Sequence, residues 1–405
     1  MRRTGIFILT ITLFLVSCNT NQQSANQSGT DNMEEDLVQV AKDALEFAQV
    51  QYTHATNEHT DVNTYPRSLN EDGSVRAVKP RDWTSGFYAG VLWYLYDYTG
   101  EEKWREQAEK WTNSLEEIKN YDGTHDLGFM IFCSFGNGYR LTGNELYKEV
   151  ILTGSETLST RFNPNVGCIK SWDHGDWKFP VIIDNMMNLE MLYWTSKNSD
   201  EDKFYNLSLT HADTTMKNHY RPDYSSFHVV DYDPETGEVI EKVTHQGYAD
   251  ESAWARGQSW GLYGYVMSYR ETGEQRYLDH AINIADFLLS KLPQDYVPYW
   301  DYDEPGIPDV PRDASAAAIM CSALLELSQL PEVPNSGEYM EAAENMIRKL
   351  ASPEYTAAEG ENGNFILMHS VGHKPKESEV DVPLIYADYY YVESLLRYLE
   401  INNAI

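Results

Sequence analysis

Three times in this chain an apolar-periodic run stops at Thr-Gly, and a second such run starts within a few residues. Tyr98-Thr99-Gly100 precedes Trp104 and Ala108, Leu141-Thr142-Gly143 precedes Tyr147, and Glu271-Thr272-Gly273 precedes Tyr277 and Ala281. Looser versions lie around 198–204 and 335–339. Glycine ends a helix because it adopts a left-handed φ with no Cβ penalty. Acids at the next helix start meet the positive end of its dipole. The recurring unit is an αα-hairpin, and a chain built of such units has to pack helix on helix.

Apolar periodicity marks twelve helical stretches, near 36–53, 85–98, 102–118, 126–141, 145–160, 182–197, 202–218, 252–271, 275–291, 313–328, 338–351 and 384–402. Their spacing is irregular, which excludes a regular solenoid. Without a fixed repeat or capping units, a closed double ring is favoured over an open superhelical array. The expected fold is all-α, a single-domain (α/α)6 barrel over 34–405. The 42% apolar and 13% aromatic content is ample for one large core.

Long connections at 54–84, 161–181, 219–251, 292–312 and 352–383 are rich in Trp, His, Asp, Gly and Arg. Ordered loops at one end of a scaffold are where sites are built. Within one of them, 226–244 predicts a β-hairpin turning at Asp233-Pro234-Glu235-Thr236-Gly237.

The N-terminus sets the expected compartment. Arg2 and Arg3 precede an apolar run, Ile6 to Val16, that is too short to span a bilayer. Leu15-Val16-Ser17-Cys18 resembles a bacterial lipoprotein signal box. Residues 1–17 then form a signal peptide, Cys18 carries the lipid, and 18–33 is a polar tether. This reading expects an exported lipoprotein, periplasmic or associated with the outer membrane, that touches the membrane only through its N-terminal lipid. A formal net charge of -32 argues against nucleic-acid binding. Cys133, Cys168 and Cys321 have no paired spacing and read as buried free thiols. There is no H-E-x-x-H, no paired His/Cys spacing and no phosphate-binding glycine loop, so neither a metal nor an organic cofactor is expected.

Two acids stand out. Asp184 ends the apolar run Val181-Ile182-Ile183 and is followed by Asn185-Met186-Met187-Asn188. It reads equally as a helix N-cap or as a desolvated carboxyl that holds its proton near neutrality. Asp126, in Thr124-His125-Asp126-Leu127-Gly128, reads as a helix cap or as a second carboxylate that, close to Asp184, would raise the pKa of one of the two. Trp83-Thr84-Ser85-Gly86 and Arg256-Gly257-Gln258-Ser259-Trp260 set small residues beside aromatic and polar ones at helix starts. They suit either substrate contact or close helix packing. His245 lies in a long loop and has no sequence partner for metal binding.

Together these segments resemble the unsaturated glucuronyl hydrolases of glycoside hydrolase family 88. The resemblance runs from about residue 36 to the C-terminus. It is carried by 82–87, 125–129, 182–189, 244–247, 255–261, 299–301, 312–316 and 387–391. It implies an (α/α)6 barrel that acts on oligosaccharides left by polysaccharide lyases and removes a terminal uronic acid with a C4=C5 double bond. Asp184 matches the family's general acid and base, and Asp126 its second essential aspartate. His125, Trp83, His245, Arg256, Gln258 and Trp260 match or adjoin the substrate-binding motifs. The implied chemistry is hydration of the double bond, with a proton to C4 and water to C5. In some relatives Ser and Lys of the loop equivalent to His369–Lys376 contact sulfate, which makes Ser370 and Lys374 candidates here, while the continuous match around His125-Asp126 and Thr244-His245-Gln246 favours the glucuronyl, glycosaminoglycan type over the rhamnogalacturonyl one. Three other readings stand beside this one: an unsaturated rhamnogalacturonyl hydrolase acting on pectin fragments, a sugar 2-epimerase on the same barrel, and a lipoprotein that only captures oligosaccharides.

Overall fold

The computed structural model describes residues 36–405; the expected signal peptide, the tether and Cys18 lie outside the described residues. The helices are α1 (Leu37–Glu58), α2 (Ser85–Thr99), α3 (Glu102–Asn113), α4 (Asn137–Thr142), α5 (Glu145–Ser159), α6 (Asn185–Asn198), α7 (Lys203–His219), α8 (Ala255–Thr272), α9 (Gln275–Lys291), α10 (Ala314–Ser328), α11 (Ser336–Leu350) and α12 (Ile385–Ile401). A π-helical stretch, Gly128–Gly136, runs directly into α4. The stretch predicted at 126–141 is therefore one inner helix whose first half is wound more widely.

Burial separates the helices into two rings. α2, the π-α4 helix, α6, α8, α10 and α12 are buried around much of their circumference, as Ala314 to Leu325 of α10 shows. Each packs against the next, and α12 returns to pack on α2, which closes the ring. The outer helices bury one face only. In α9 that face is Tyr277, Leu278, Ala281, Ile284, Ala285 and Leu288, spaced for a single helical stripe. Each buried Leu or Ile of such a stripe contributes about 1.5–3 kcal/mol. The architecture is the expected (α/α)6 barrel.

The Thr-Gly turns join inner to outer helices as the sequence implies. Gly100, Gly143 and Gly273 have φ of 63°, 64° and 70°, and their N–H groups bond Tyr96 O, Tyr139 O and Tyr269 O. At the other end the connections are long and carry short antiparallel strands. These are β1 (Tyr65–Leu69) with β2 (Val75–Val78), β3 (Phe162–Asn163) with β4 (Cys168–Ile169), a sheet of β5 (Pro180–Ile182), β6 (Val229–Tyr232) and β7 (Val239–Val243), and β8 (Ser370–His373) with β9 (Ser378–Val382). The hairpin predicted at 226–244 is β6–β7. It also pairs with β5, Val181 opposite Val230, and β5 leads straight into Asp184. Cys133, Cys168 and Cys321 are buried and free. No described helix is long and apolar enough to cross a membrane.

Candidate active site

The inner helices begin on one side of the barrel, and a cavity of about 410 Å³ opens there. Its wall takes Trp83 from the start of α2, Asp126 from the start of the π-α4 helix, Asp184 from α6, Arg256 from α8 and Tyr386 from α12. The loops add Arg67, Arg81, Trp172, His174, His245, Gln246, His373 and Lys376. Helix N-termini carry partial positive charge. Several of them converging on one mouth, with arginines and histidines, make it a favourable place for an anion within a strongly acidic protein.

Asp184 occupies the N-cap position of α6, yet its side chain makes no capping hydrogen bond. It is buried, and its Oδ2 has no hydrogen-bond partner. Burial pushes its pKa up to about 7; the nearby Arg256 guanidinium opposes this and the Asp126 charge adds to it. An unpartnered buried carboxylate is costly, so the group holds its proton into the neutral range. Of the two readings of Asp184, the geometry rules out side-chain capping.

Asp126 is held differently. Thr124 Oγ1 donates to its Oδ2 at 2.7 Å, and His125 Nε2 lies 3.1 Å from its Oδ1. His125 Nδ1 donates to Ser171 O at 2.8 Å, which fixes the ring. Burial lowers the His125 pKa, against the pull of Asp126.

His228, at the head of β6, stands opposite Asp184. Its Nδ1 accepts from the backbone N–H groups of His245 (3.1 Å) and Gln246 (3.0 Å). Two donors on Nδ1 place the proton of the neutral ring on Nε2. That nitrogen has no partner and lies 3.8 Å from Asp184 Oδ2. Burial holds His228 well below the ordinary histidine pKa, so it is neutral. It is a fixed N–H donor aimed at the acid.

Trp83 is fixed by a network beneath it. Arg67 bonds both oxygens of Asp82 (3.0 and 2.9 Å) and both of Glu379 (2.7 Å each), and Asp82 Oδ1 accepts from Thr84 N and Oγ1. The indole packs 4.9 Å from the Tyr386 ring. Arg256 is buried, bonded to Asp313 Oδ2 at 3.1 Å, to Gly372 O at 2.6 Å and to Val371 O. Its guanidinium therefore acts on the cavity as a fixed charge that also anchors the β8 strand. His245 and His373 meet edge to face at 4.8 Å, and Lys376 Nζ donates to His245 Nε2 at 3.3 Å. Burial takes both imidazoles down to a pKa of about 4.

Asp184, Asp126, His125, Trp83, His245 and Arg256 thus come together around one cavity. Four other candidates do not reach its wall. Gln258 is buried in hydrogen bonds to Ser226, and Trp260 is packed between Phe129 and Tyr390. Ser370 is fully buried in β8. Lys374 is turned onto Glu377 at 2.7 Å, and Lys376 takes the place in the wall. The fold adds Trp172 to the wall and sets His228 beside Asp184. The only sequence hint of His228 is a polar residue interrupting Phe227-His228-Val229-Val230.

A second cavity, of about 450 Å³, lies at the C-terminal ends of the inner helices. Four of its five carboxylates are tied to arginines, Asp97 to Arg140, Glu190 and Glu271 to Arg270, and Glu393 to Arg397, and the fifth, Glu400, is exposed, so it offers no buried unpaired acid like Asp184. Among the described residues no group of three or more His, Cys, Asp or Glu is placed to hold a metal ion.

Known proteins share this fold and sequence. A curated relative from Formosa agariphila, an unsaturated glucuronyl hydrolase, is 46% identical over 347 residues, covering 84% of this chain and 86% of the relative. An unsaturated chondroitin disaccharide hydrolase from Streptococcus agalactiae is 34% identical over 341 residues, 82% of this chain and 85% of the relative. A crystal structure described as an unsaturated glucuronyl hydrolase specific for heparin superposes with a TM-score of 0.88 at 48% identity, covering 90% of this chain and 98% of that one. The profile of Glycosyl Hydrolase Family 88 matches residues 53–398, and the chain belongs to that family.

Proposed function

We propose that this protein is an unsaturated glucuronyl hydrolase that removes the terminal 4,5-unsaturated uronic acid from lyase-generated glycosaminoglycan oligosaccharides. The observation that carries the reading is the buried, unpartnered Asp184 carboxyl beside Asp126, in a cavity lined by Trp, His and Arg. The relatives support the substrate class, and one of them is described as specific for heparin.

The chemistry follows from the placement. Protonated Asp184 gives its proton to C4 of the double bond, and positive charge develops at C5, shared with the ring oxygen. A water molecule adds its oxygen to C5 and returns a proton to the Asp184 carboxylate. The product is a hemiketal at C5. It opens to a C5 ketone and leaves a hemiacetal at C1, which collapses to an aldehyde and releases the remaining sugar as an alcohol. One water is consumed and no redox partner is needed. Ordinary glycosidases use two carboxylates across the glycosidic bond; here one carboxyl serves as acid and then base. His228 Nε2–H and Asp126 hold the sugar and the water in register, and Asp126 also helps keep the proton on Asp184 before the first step.

The test is loss of ultraviolet absorbance of the conjugated double bond in unsaturated disaccharides from chondroitin, hyaluronan, heparin and pectin lyases. Turnover of the glycosaminoglycan products supports the reading. Turnover of pectin fragments alone would make the protein a rhamnogalacturonyl-type enzyme. Absence of turnover on all four would leave only sugar capture.

We also propose that the protein is exported and anchored through a lipid on Cys18, on the strength of the N-terminal sequence. Membrane fractionation checks this. Wild-type protein should partition with the bacterial envelope, and Cys18→Ser should move it to the soluble or unprocessed fraction. Equal partitioning of the two would end the proposal.

A further inference from the structure

Three arginines line the cavity, and two of them are fully engaged. Arg67 is bonded to Asp82 and Glu379, and Arg256 to Asp313 and two carbonyls. The third, Arg81, lies in the turn before α2 beside Tyr121, Gly123 and Thr124. Its guanidinium carbon is 4.9 Å from the centre of the Tyr121 ring. No hydrogen bond or ion pair joins it to an acceptor among the described residues, although the chain has 63 Asp and Glu against 31 Lys and Arg.

The stack is built in from below. A Cβ at Gly123 would come within 2.6 Å of Tyr121 Cε2 and Oη, so glycine is what lets the tyrosine ring lie down there. The ring in turn carries the guanidinium. Stacking fixes the plane of the fork and leaves its N–H edge free for a two-oxygen acceptor. Asp184 is buried at the floor of the cavity and Arg81 is exposed at its rim. A substrate with its unsaturated end at Asp184 therefore brings its next sugar to the rim.

We propose that Arg81, laid on Tyr121, is a subsite for a sulfate ester on the sugar adjoining the unsaturated residue. This rests on the hydrolase reading above. Sulfate suits the site because it offers two oxygens to one guanidinium edge, and in a glycosaminoglycan disaccharide the second sugar is a hexosamine, whose anionic group is sulfate. The site is solvated, so it contributes selectivity on the scale of tenfold and not the large factors of a buried pair.

The experiment measures kcat/KM on matched unsaturated disaccharides, sulfated on the hexosamine and unsulfated, and reads the ratio of the two. Wild-type protein, Arg81→Gln, Arg81→Lys, Tyr121→Leu and Lys376→Gln are compared, the last because Lys376 is the cation of the opposite wall. The ratio should fall about tenfold in Arg81→Gln, recover partly in Arg81→Lys, and fall in Tyr121→Leu with Arg81 still present. A ratio within threefold of wild type in Arg81→Gln overturns the proposal, whatever happens to the absolute rates. So does a ratio that moves in Lys376→Gln alone, or a wild-type enzyme that rejects every sulfated disaccharide. Failure of wild-type protein on unsulfated and sulfated compounds alike would overturn the hydrolase reading, and this subsite with it.

Discussion

At the scale of single residues, Asp184 and Asp126 differ in their surroundings, and on the proposed mechanism that difference divides their roles. Asp184 Oδ2 has no partner and its pKa stands at about 7, whereas Asp126 accepts from Thr124 Oγ1 and sits against His125. On the mechanism proposed above the acid form of Asp184 is the reactive one, so kcat/KM should fall as pH rises through about 7. Asp126→Asn removes the negative neighbour, and the alkaline limb of the pH–rate profile should move to lower pH. An unmoved limb would break the link between the two groups. Asp184→Asn should lower kcat by roughly a hundred- to ten-thousandfold. It should also change stability in a fixed direction. A carboxyl with a raised folded-state pKa binds its proton more tightly when folded, so its contribution falls as pH climbs from about 4 to about 7. Asn carries no such penalty, and the variant should melt higher than wild type at pH 8, with that margin shrinking as pH falls towards 4. Much of this site was legible in the sequence, because Asp184, Asp126 and His125 lie in short ordered motifs. The cap-or-catalyst question was not, since it depends on where a side chain points. His228 was invisible for a similar reason: its role comes from two backbone N–H groups seventeen and eighteen residues away.

At the scale of elements, the π-helical stretch decides how the two carboxylate-bearing helices meet. Phe129 N donates to Asn188 Oδ1 at 3.1 Å. A Cβ on Gly128 would come within 2.6 Å of Asn188 Cα, so the helix starts pack backbone to backbone here. Asn188 is one turn after Asp184 and Gly128 two residues after Asp126. The contact sets the spacing between acid and partner, and a π-helix at such a place fits the tendency of these distortions to lie at functional sites. Asn188→Leu leaves the Phe129 N–H buried without an acceptor, which costs about 1–3 kcal/mol. If Asn188 also positions the carboxylates, kcat falls and the alkaline limb shifts; a variant that loses only melting temperature would show a purely structural role. The twelve helices and the Thr-Gly turns were readable because amphipathic periodicity and αL glycines are local signals. The hairpins β1–β2, β3–β4 and β8–β9 were not. Their strands run only two to five residues, too short for an alternation pattern to stand out. The exchange of Lys374 for Lys376 at the wall follows from the tight β8–β9 turn, where Glu377 takes Lys374 out of play.

At the scale of the whole molecule, ring closure buries titratable groups of both kinds, and their balance sets acid stability. Asp184 and Asp388 have pKa values raised to about 7 by burial, Asp388 even while accepting from Ile366 N, Leu367 N and Tyr52 Oη. Between about pH 4 and 7 each holds a proton in the folded state that it releases on unfolding, so stability from this source falls as pH rises. Histidines act the other way. Burial lowers His125, His211, His219, His228, His245, His280 and His373, with His211 at about 3 and His219, His245, His280 and His373 at about 4. At pH 5 the rings at about 3 to 4 are neutral when folded and charged when unfolded, so unfolding takes up protons and stability rises with pH. Seven such histidines oppose four carboxyls that burial raises, Asp184, Asp388, Glu190 and Asp301, and the histidines win below about pH 6.5. Melting temperature should therefore climb steeply from pH 4.5 to 6.5 and flatten near neutrality, and calorimetry in buffers of different ionisation enthalpy should detect net proton uptake on unfolding at pH 5. Maximum stability at pH 5, or proton release there, would contradict this balance. His211→Gln and His219→Gln together should flatten the acid slope without moving the pH–rate profile, because both rings pack under β4 and β5, bonding Ile169 N and Val181 O, away from the cavity.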